Sequence, residues 1–312
     1  MLGTATGDRM RQTTVLTATC EVCGSRRVGV IRHSTLFDFD IARCADCRMV
    51  FVLDAAEVTR KANEQVPMTY EAYVDATRGD RELRVDVLTR LRSLLDERAR
   101  PVLFDVGTGV GEFLLLASEF GFDARGNEIA EPAIAYALEH HGLTISPLQV
   151  HEQPSASVDV ITLWCVLAHV PDPGRFLREI YAMLRPGGVL FLRTPRWCLI
   201  DVLGAAASKL GRGSLDHVAD RRVTPGHMHI YNKDTMARHL RSTGFEPLHI
   251  EPTPHYAFKT DVYLDGAGGP MRTLKRAVPL FDAMIDRGWF VRNTLMVYAR
   301  RPLDSRGRSL PR

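Results

Sequence analysis

The chain has 312 residues, 45% of them apolar and 25% charged, with a formal net charge of +3. This is globular composition, enough for one large core and a small satellite, and its basic excess is too weak to indicate nucleic-acid binding by itself. No stretch approaches the roughly 20 apolar residues that a bilayer span needs, and the first residues lack an apolar signal segment, so a soluble, cytoplasmic protein is expected.

Residues 1–16 are polar and without periodicity, and are read as a disordered tail. Residues 17–56 carry short alternating runs, "RVGVI" and "MVFVL", expected to be small strands, and four cysteines spaced C-x2-C-x20-C-x2-C. Cys20, Cys23, Cys44 and Cys47 thus form two close pairs at the separation of a tetrahedral zinc ribbon. Four ligands complete the coordination shell, so the metal is expected to be structural, and a segment this small has a core that a metal helps to fold. Cys165 and Cys198 lie in apolar surroundings and are read as packing residues.

Residues 57–99 read as a helical connector, with Leu83, Val87, Leu91, Leu94 and Leu95 at helical spacing and Pro101 beyond them. From residue 100 to about 302, strands and helices alternate as in a parallel sheet covered on both faces. "VLFDV" precedes the helix "GEFLLLASEFG", "DARGNEI" precedes "PAIAYALEHHG", and "VDVITLW" precedes "GRFLREIYAML". "GGVLFLRTP", "KDTMARHLRSTG" and "NTLMVYAR" follow as strand, helix and strand, and residues 196–226 form an insertion placed to cover a substrate. Residues 303–312 form a basic tail.

"FDVGTGVGEF" ends a strand, turns on Gly107, Thr108, Gly109 and Gly111, and starts a helix. A dinucleotide fingerprint would place a third glycine at the position of Glu112, whose carboxylate would repel a pyrophosphate there. Asp105, at the strand end, can accept hydrogen bonds from an ammonium group, directly or through water. Glu128, in "RGNEIAEP", can chelate a ribose diol at the end of the next strand. An ammonium, a ribose and no phosphate describe S-adenosylmethionine.

With these motifs and "SVDVITLWCVLAHVPDPGRFLREIYAMLRPGGVLFLRTP", the stretch from about Tyr70 to Arg301 resembles the class I S-adenosylmethionine-dependent methyltransferases that act mostly on small molecules. The resemblance implies a Rossmann-like, seven-stranded, mostly parallel sheet with helices on both faces, here carrying the small N-terminal zinc-binding β module. It implies that Asp105, Gly107, Gly109 and Glu128 hold the cofactor, and that Trp164 lies beside the methyl-transfer site. It also implies that Tyr70 and Tyr73 fall on a flap over the cofactor. The acid that such enzymes commonly carry before the histidine of "HVPDP" is here Ala168. The adenine contact is left open among Gln149, His151 and Glu152.

A base is needed only where the acceptor must lose its proton, and His169, His227 and His229 are the candidates, with His169 and His229 preferred. The acceptor is expected to be a small molecule, such as a sugar-containing or secondary metabolite. Two alternatives remain: an RNA-directed enzyme gripping its substrate with the cysteine module, and a non-catalytic adaptor. The first is disfavoured because "LWCVLAHVP" lacks the Asn/Asp-Pro-Pro-aromatic motif of amino-group nucleobase methyltransferases.

Overall fold

The computed structural model describes residues 18–34, 38–58, 81–95, 99–198, 201–202, 227–253, 279–280, 283 and 292–303. Two sheets organise them. The first is the N-terminal module, with β1 (Val28–Ser34), β2 (Phe39–Cys44) and β3 (Val50–Val52). The second is the main sheet. It is introduced by α1 (Arg81–Leu94) and proceeds as β4 (Val102–Val106), α2 (Glu112–Glu119), β5 (Asp123–Asn127), α3 (Glu131–His141) and β6 (Val158–Trp164). Then come α4 (Pro173–Met183), β7 (Leu184–Pro195), β8 (His229–Ile230), α5 (Lys233–Ser242), β9 (Glu246–Thr253) and β10 (Thr294–Arg300).

The main sheet runs β5-β4-β6-β7-β10-β9. Its first four strands are parallel, while β10 is antiparallel to both β7 and β9. Strands buried on both faces read as continuous apolar runs, and "VDVITLW" is buried along all but its last residue. Neighbouring positions serve opposite faces. Leu103 and Val160 pack with Leu88, Phe113 and Tyr298, whereas Phe104 and Ile161 pack with Leu177, Ile180 and Leu240.

The strand count differs from expectation. Among the described residues the main sheet has six strands, not seven. The expected outer strand beyond β5 shrinks to one bridge between Asn127 and Ser146. Pro147 follows at once, and a residue with no N–H cannot extend a ladder inward.

The module is not a separate bead. Its sheet runs β1-β2-β3-β8, and the fourth strand comes from beyond the insertion: Val50 pairs with Ile230 and Phe51 with His229. Val52 N–H also donates to the Met228 carbonyl at 2.9 Å, and the Thr235 hydroxyl to the Cys47 carbonyl at 2.7 Å. Cys20, Val22, Cys44, Cys47 and Met49 share one buried cluster with Leu177, Tyr231, Met236 and Leu240. Two helices beside this seam are fixed by side-chain caps: Asp172 accepts from Arg175 N–H, and Asn232 from Thr235 N–H. No helix among the described residues is long and apolar enough to cross a membrane.

Candidate active site and cysteine centre

The carboxyl ends of β4, β5 and β6 meet at one edge, where ligands of open α/β sheets bind. Asp105, next to last in β4, is 2% exposed, and the Thr162 hydroxyl of neighbouring β6 donates to its Oδ1 at 2.5 Å. Burial pushes its pKa up to about 7, against the hydroxyls of Thr162 and Thr108 and the charge of Arg84, which all favour the ionised form. A buried carboxylate in this state is primed to gain from a cationic ligand.

The loop after Asp105 is a backbone cradle. Gly107 and Gly111 have φ of +64° and +82°, where a side chain would be strained. A Cβ on Gly111 would meet Leu143 Cδ1 at 2.7 Å, and one on Gly107 would meet Val166 Cγ2 at 3.0 Å. Thr108 is buried, and its N–H bonds the Asn127 carbonyl at 3.0 Å.

Glu128 closes the cradle from β5. Its Oε2 accepts Gly109 N–H at 2.9 Å, while Oε1 accepts from Ile129 and Ala130 at 2.8 and 3.0 Å. These bonds orient the carboxylate at the loop and leave one lone pair, on Oε2, for a ribose hydroxyl. Sequence reasoning missed Asn127, which accepts Gly107 N–H at 3.3 Å and donates to the Leu148 carbonyl at 2.8 Å. An amide that can both accept and donate, at a strand end facing a glycine loop, was the available signal.

Trp164 ends β6 and packs against Phe113 and Phe191, with ring centroids 5.2 and 4.9 Å away. Its buried Nε1–H has no hydrogen-bond partner among the described residues. Arg84 lies 5.9 Å from its ring and 3.6 Å from Glu112, so the acid that argued against pyrophosphate already faces a guanidinium. Of the three adenine candidates, Gln149 and Glu152 cap the same short turn, with Gln149 N–H on Glu152 Oε2 at 2.6 Å. His151 is exposed. Tyr70 and Tyr73 lie outside the described residues.

The histidines separate. His169 is exposed on the turn after β6, and its ring centroid lies 5.1 Å from that of His227. His229 is instead 3% exposed within β8. Burial first, and then the nearby charge of His239, lower its pKa to about 4, while Asp172 opposes this. Its electrostatic neighbours are His239 and Asp172, and His229 is not among the side chains, Cys165, His169 and His227, whose ligand atoms meet within 4.8 Å. Cys165 also departs from the packing role expected of it. Its Sγ lies 3.4 Å from His227 Nε2, across 62 residues of sequence, and its backbone has φ of +65°. Burial pushes its thiol up to about 11, so at neutral pH it is no free nucleophile.

In the module, Cys20 and Cys47 sulfurs are 3.5 Å apart and those of Cys23 and Cys44 3.6 Å, with all four within 4.8 Å. Zinc–sulfur bonds of about 2.3 Å in a tetrahedron imply sulfur separations of about 3.8 Å, so the four thiols fit such a centre.

The methyltransferase-domain family profile matches residues 77–250, more than half of the chain. The chain belongs to the methyltransferase-domain family. It is a class I S-adenosylmethionine-dependent methyltransferase with a Rossmann-like core and an N-terminal four-cysteine module. This methyltransferase is 28% identical over 202 residues to the ubiquinone biosynthesis O-methyltransferase of Pseudomonas savastanoi pv. phaseolicola, covering 59% of this chain and 83% of that one. The protein of the same name from Pseudomonas putida GB-1 is 28% identical over 206 residues, covering 59% and 86%. The fold is shared with a chain from the complex of the Haloferax volcanii Trm112 methyltransferase activator with a methyltransferase. That match has 14% identity, covers 75% of this chain and 97% of that chain, and has a TM-score of 0.51.

Proposed function

We propose that this methyltransferase methylates a small-molecule hydroxyl, holding S-adenosylmethionine between Asp105, the Gly107–Gly111 loop and Glu128. The observation that carries the cofactor's placement is the buried Asp105 carboxylate beside a backbone cradle that Glu128 clasps. The bound cofactor supplies a methyl group on a sulfonium, already activated for in-line displacement. Asp105 would receive its ammonium end and Glu128 its ribose diol. The Trp164 indole, with an unpartnered N–H, would wall the reacting region and exclude water. His169, exposed beyond β6 and on the acceptor side, would engage the acceptor's hydroxyl.

The oxygen acceptor is supported by the relatives, which are named O-methyltransferases. The four module cysteines are proposed to hold one structural zinc ion. Its role would be to set the strands that bury Met49 and Cys47 against α5. The test is transfer of radiolabelled methyl from S-adenosylmethionine to a panel of phenols and hydroxylated metabolites. Turnover that disappears in Asp105→Ala supports the reading. A folded protein that binds neither S-adenosylmethionine nor its demethylated product would overturn it.

A further inference from the structure

The turn after β6 brings together three metal-ligating side chains outside the cysteine module. Cys165 Sγ, one ring nitrogen of His169 and one of His227 all lie within 4.8 Å of one another. The pairing is built by the fold. Met228 N–H donates to the Ala168 carbonyl at 2.9 Å, which pins the segment beginning at His227 alongside the turn carrying His169. Cys165 N–H donates to the Arg193 carbonyl at 2.9 Å, which holds the residue at its φ of +65°. Strained backbone at a non-glycine residue persists where the surroundings over-determine it, and such positions cluster at functional sites. A thiol–imidazole hydrogen bond would account for Cys165 and His227, but not for the third group converging on them.

We propose that Cys165, His169 and His227 form a second divalent-metal site whose open fourth position takes the acceptor's oxygen. Zinc bonded to one sulfur and two imidazole nitrogens spaces its ligand atoms about 3.3–3.6 Å apart, and the 3.4 Å between Cys165 Sγ and His227 Nε2 already falls within that range. Three protein ligands with one vacant position is the form of a catalytic rather than a structural zinc site. His169 is exposed, so the vacancy is open to a ligand from solvent. The site also adjoins the cofactor loop: Val166, next to Cys165, is the residue that a side chain at Gly107 would strike.

This rests on the acceptor side proposed above and replaces a free histidine base there. A metal-bound hydroxide takes the proton of the acceptor's O–H and leaves as water, and the acceptor's oxygen becomes metal-bound. Its lone pair forms the new O–CH3 bond as the S–CH3 bond breaks, and that electron pair stays on sulfur as the neutral thioether. Lowering an oxygen acid's pKa toward neutrality is what such a metal does to bound water.

The experiment is metal analysis and cobalt(II) substitution of the full-length protein, its Cys165→Ser and His227→Ala variants, and His169→Ala. S-adenosylhomocysteine affinity is measured on each sample. The expected result is that each variant holds about one metal equivalent fewer than the parent while still binding S-adenosylhomocysteine. Azide should then shift the cobalt spectrum of the parent and not of the variants. Equal metal content in the parent and all three folded variants would overturn the site, and a parent spectrum indifferent to azide would overturn its open position. Failure of S-adenosylhomocysteine to bind the parent would instead count against the cofactor reading, while the difference in metal content would still be read.

Discussion

Replacing Asp105 by Asn should move stability and cofactor affinity in opposite directions, both by amounts set by pH. The carboxyl is fully enclosed, and burial raises its pKa from 3.8 to about 7. A raised carboxyl pKa means that the folded state holds the proton more firmly than the unfolded chain does. Its contribution is therefore fully present below about pH 4 and is lost as the pH rises to about 7. About three pKa units at 1.36 kcal/mol each give a loss of about 4 kcal/mol by pH 8, accumulating at about 1.4 kcal/mol per pH unit. Asn keeps an oxygen for the Thr162 hydroxyl but cannot ionise, so the cofactor-free Asn variant should be the more stable protein above pH 5. The gap should widen toward pH 7 and then level off.

Affinity should behave in the reverse sense. An ammonium ligand selects the ionised carboxylate, so the wild-type protein should bind S-adenosylhomocysteine about tenfold more tightly at pH 8 than at pH 6, releasing a proton as it binds. A hydrogen bond to a charged group is worth about 1.5–3 kcal/mol, so Asn should cost about ten- to a hundredfold in affinity at pH 8. It should also flatten the pH dependence. Calorimetric titration in two buffers of different ionisation heat reads affinity and proton release together, and thermal unfolding from pH 5 to 8 reads stability. Equal wild-type affinity at pH 6 and 8, with an Asn variant that binds as well as the parent, would refute this account of Asp105.

Three other perturbations follow from the same contacts. Gly111→Ala must place a methyl 2.7 Å from Leu143 Cδ1 at a φ of +82°, and should cost about 2–4 kcal/mol in thermal or denaturant unfolding. Asp159→Ala removes the acceptor for Val102 N–H and Arg185 Nη1, at 2.8 and 2.7 Å, and should destabilise by about 1–3 kcal/mol by denaturant unfolding, because it leaves a half-buried amide without that acceptor. If the cysteine module holds the zinc proposed for it, chelation should lower the main calorimetric transition rather than melt a separate small one, since Cys47 and Met49 are buried against α5. Two resolved transitions after chelation would show that module and core fold independently.

What could be read from the sequence follows how locally each feature is encoded. Asp105, the glycines and Glu128 lie within 24 residues, and each acts through its position relative to a strand end, so spacing alone places them. The cysteine pairs are similarly self-contained. The pairing of Phe51 with His229 could not be read: a two-residue strand has no periodicity, and its partner lies nearly 180 residues away. That pairing also decides the histidines. One strand pair carries His229 into the buried seam, and one backbone bond, Met228 to Ala168, leaves His227 facing Cys165 and His169. The sequence ranks three histidines by type, but their chemistry is set by which backbone amides the module has already taken. The N-terminal module therefore bears on the candidate site: in donating its edge to β8 it fixes the residue before β8, and so completes the Cys165 cluster.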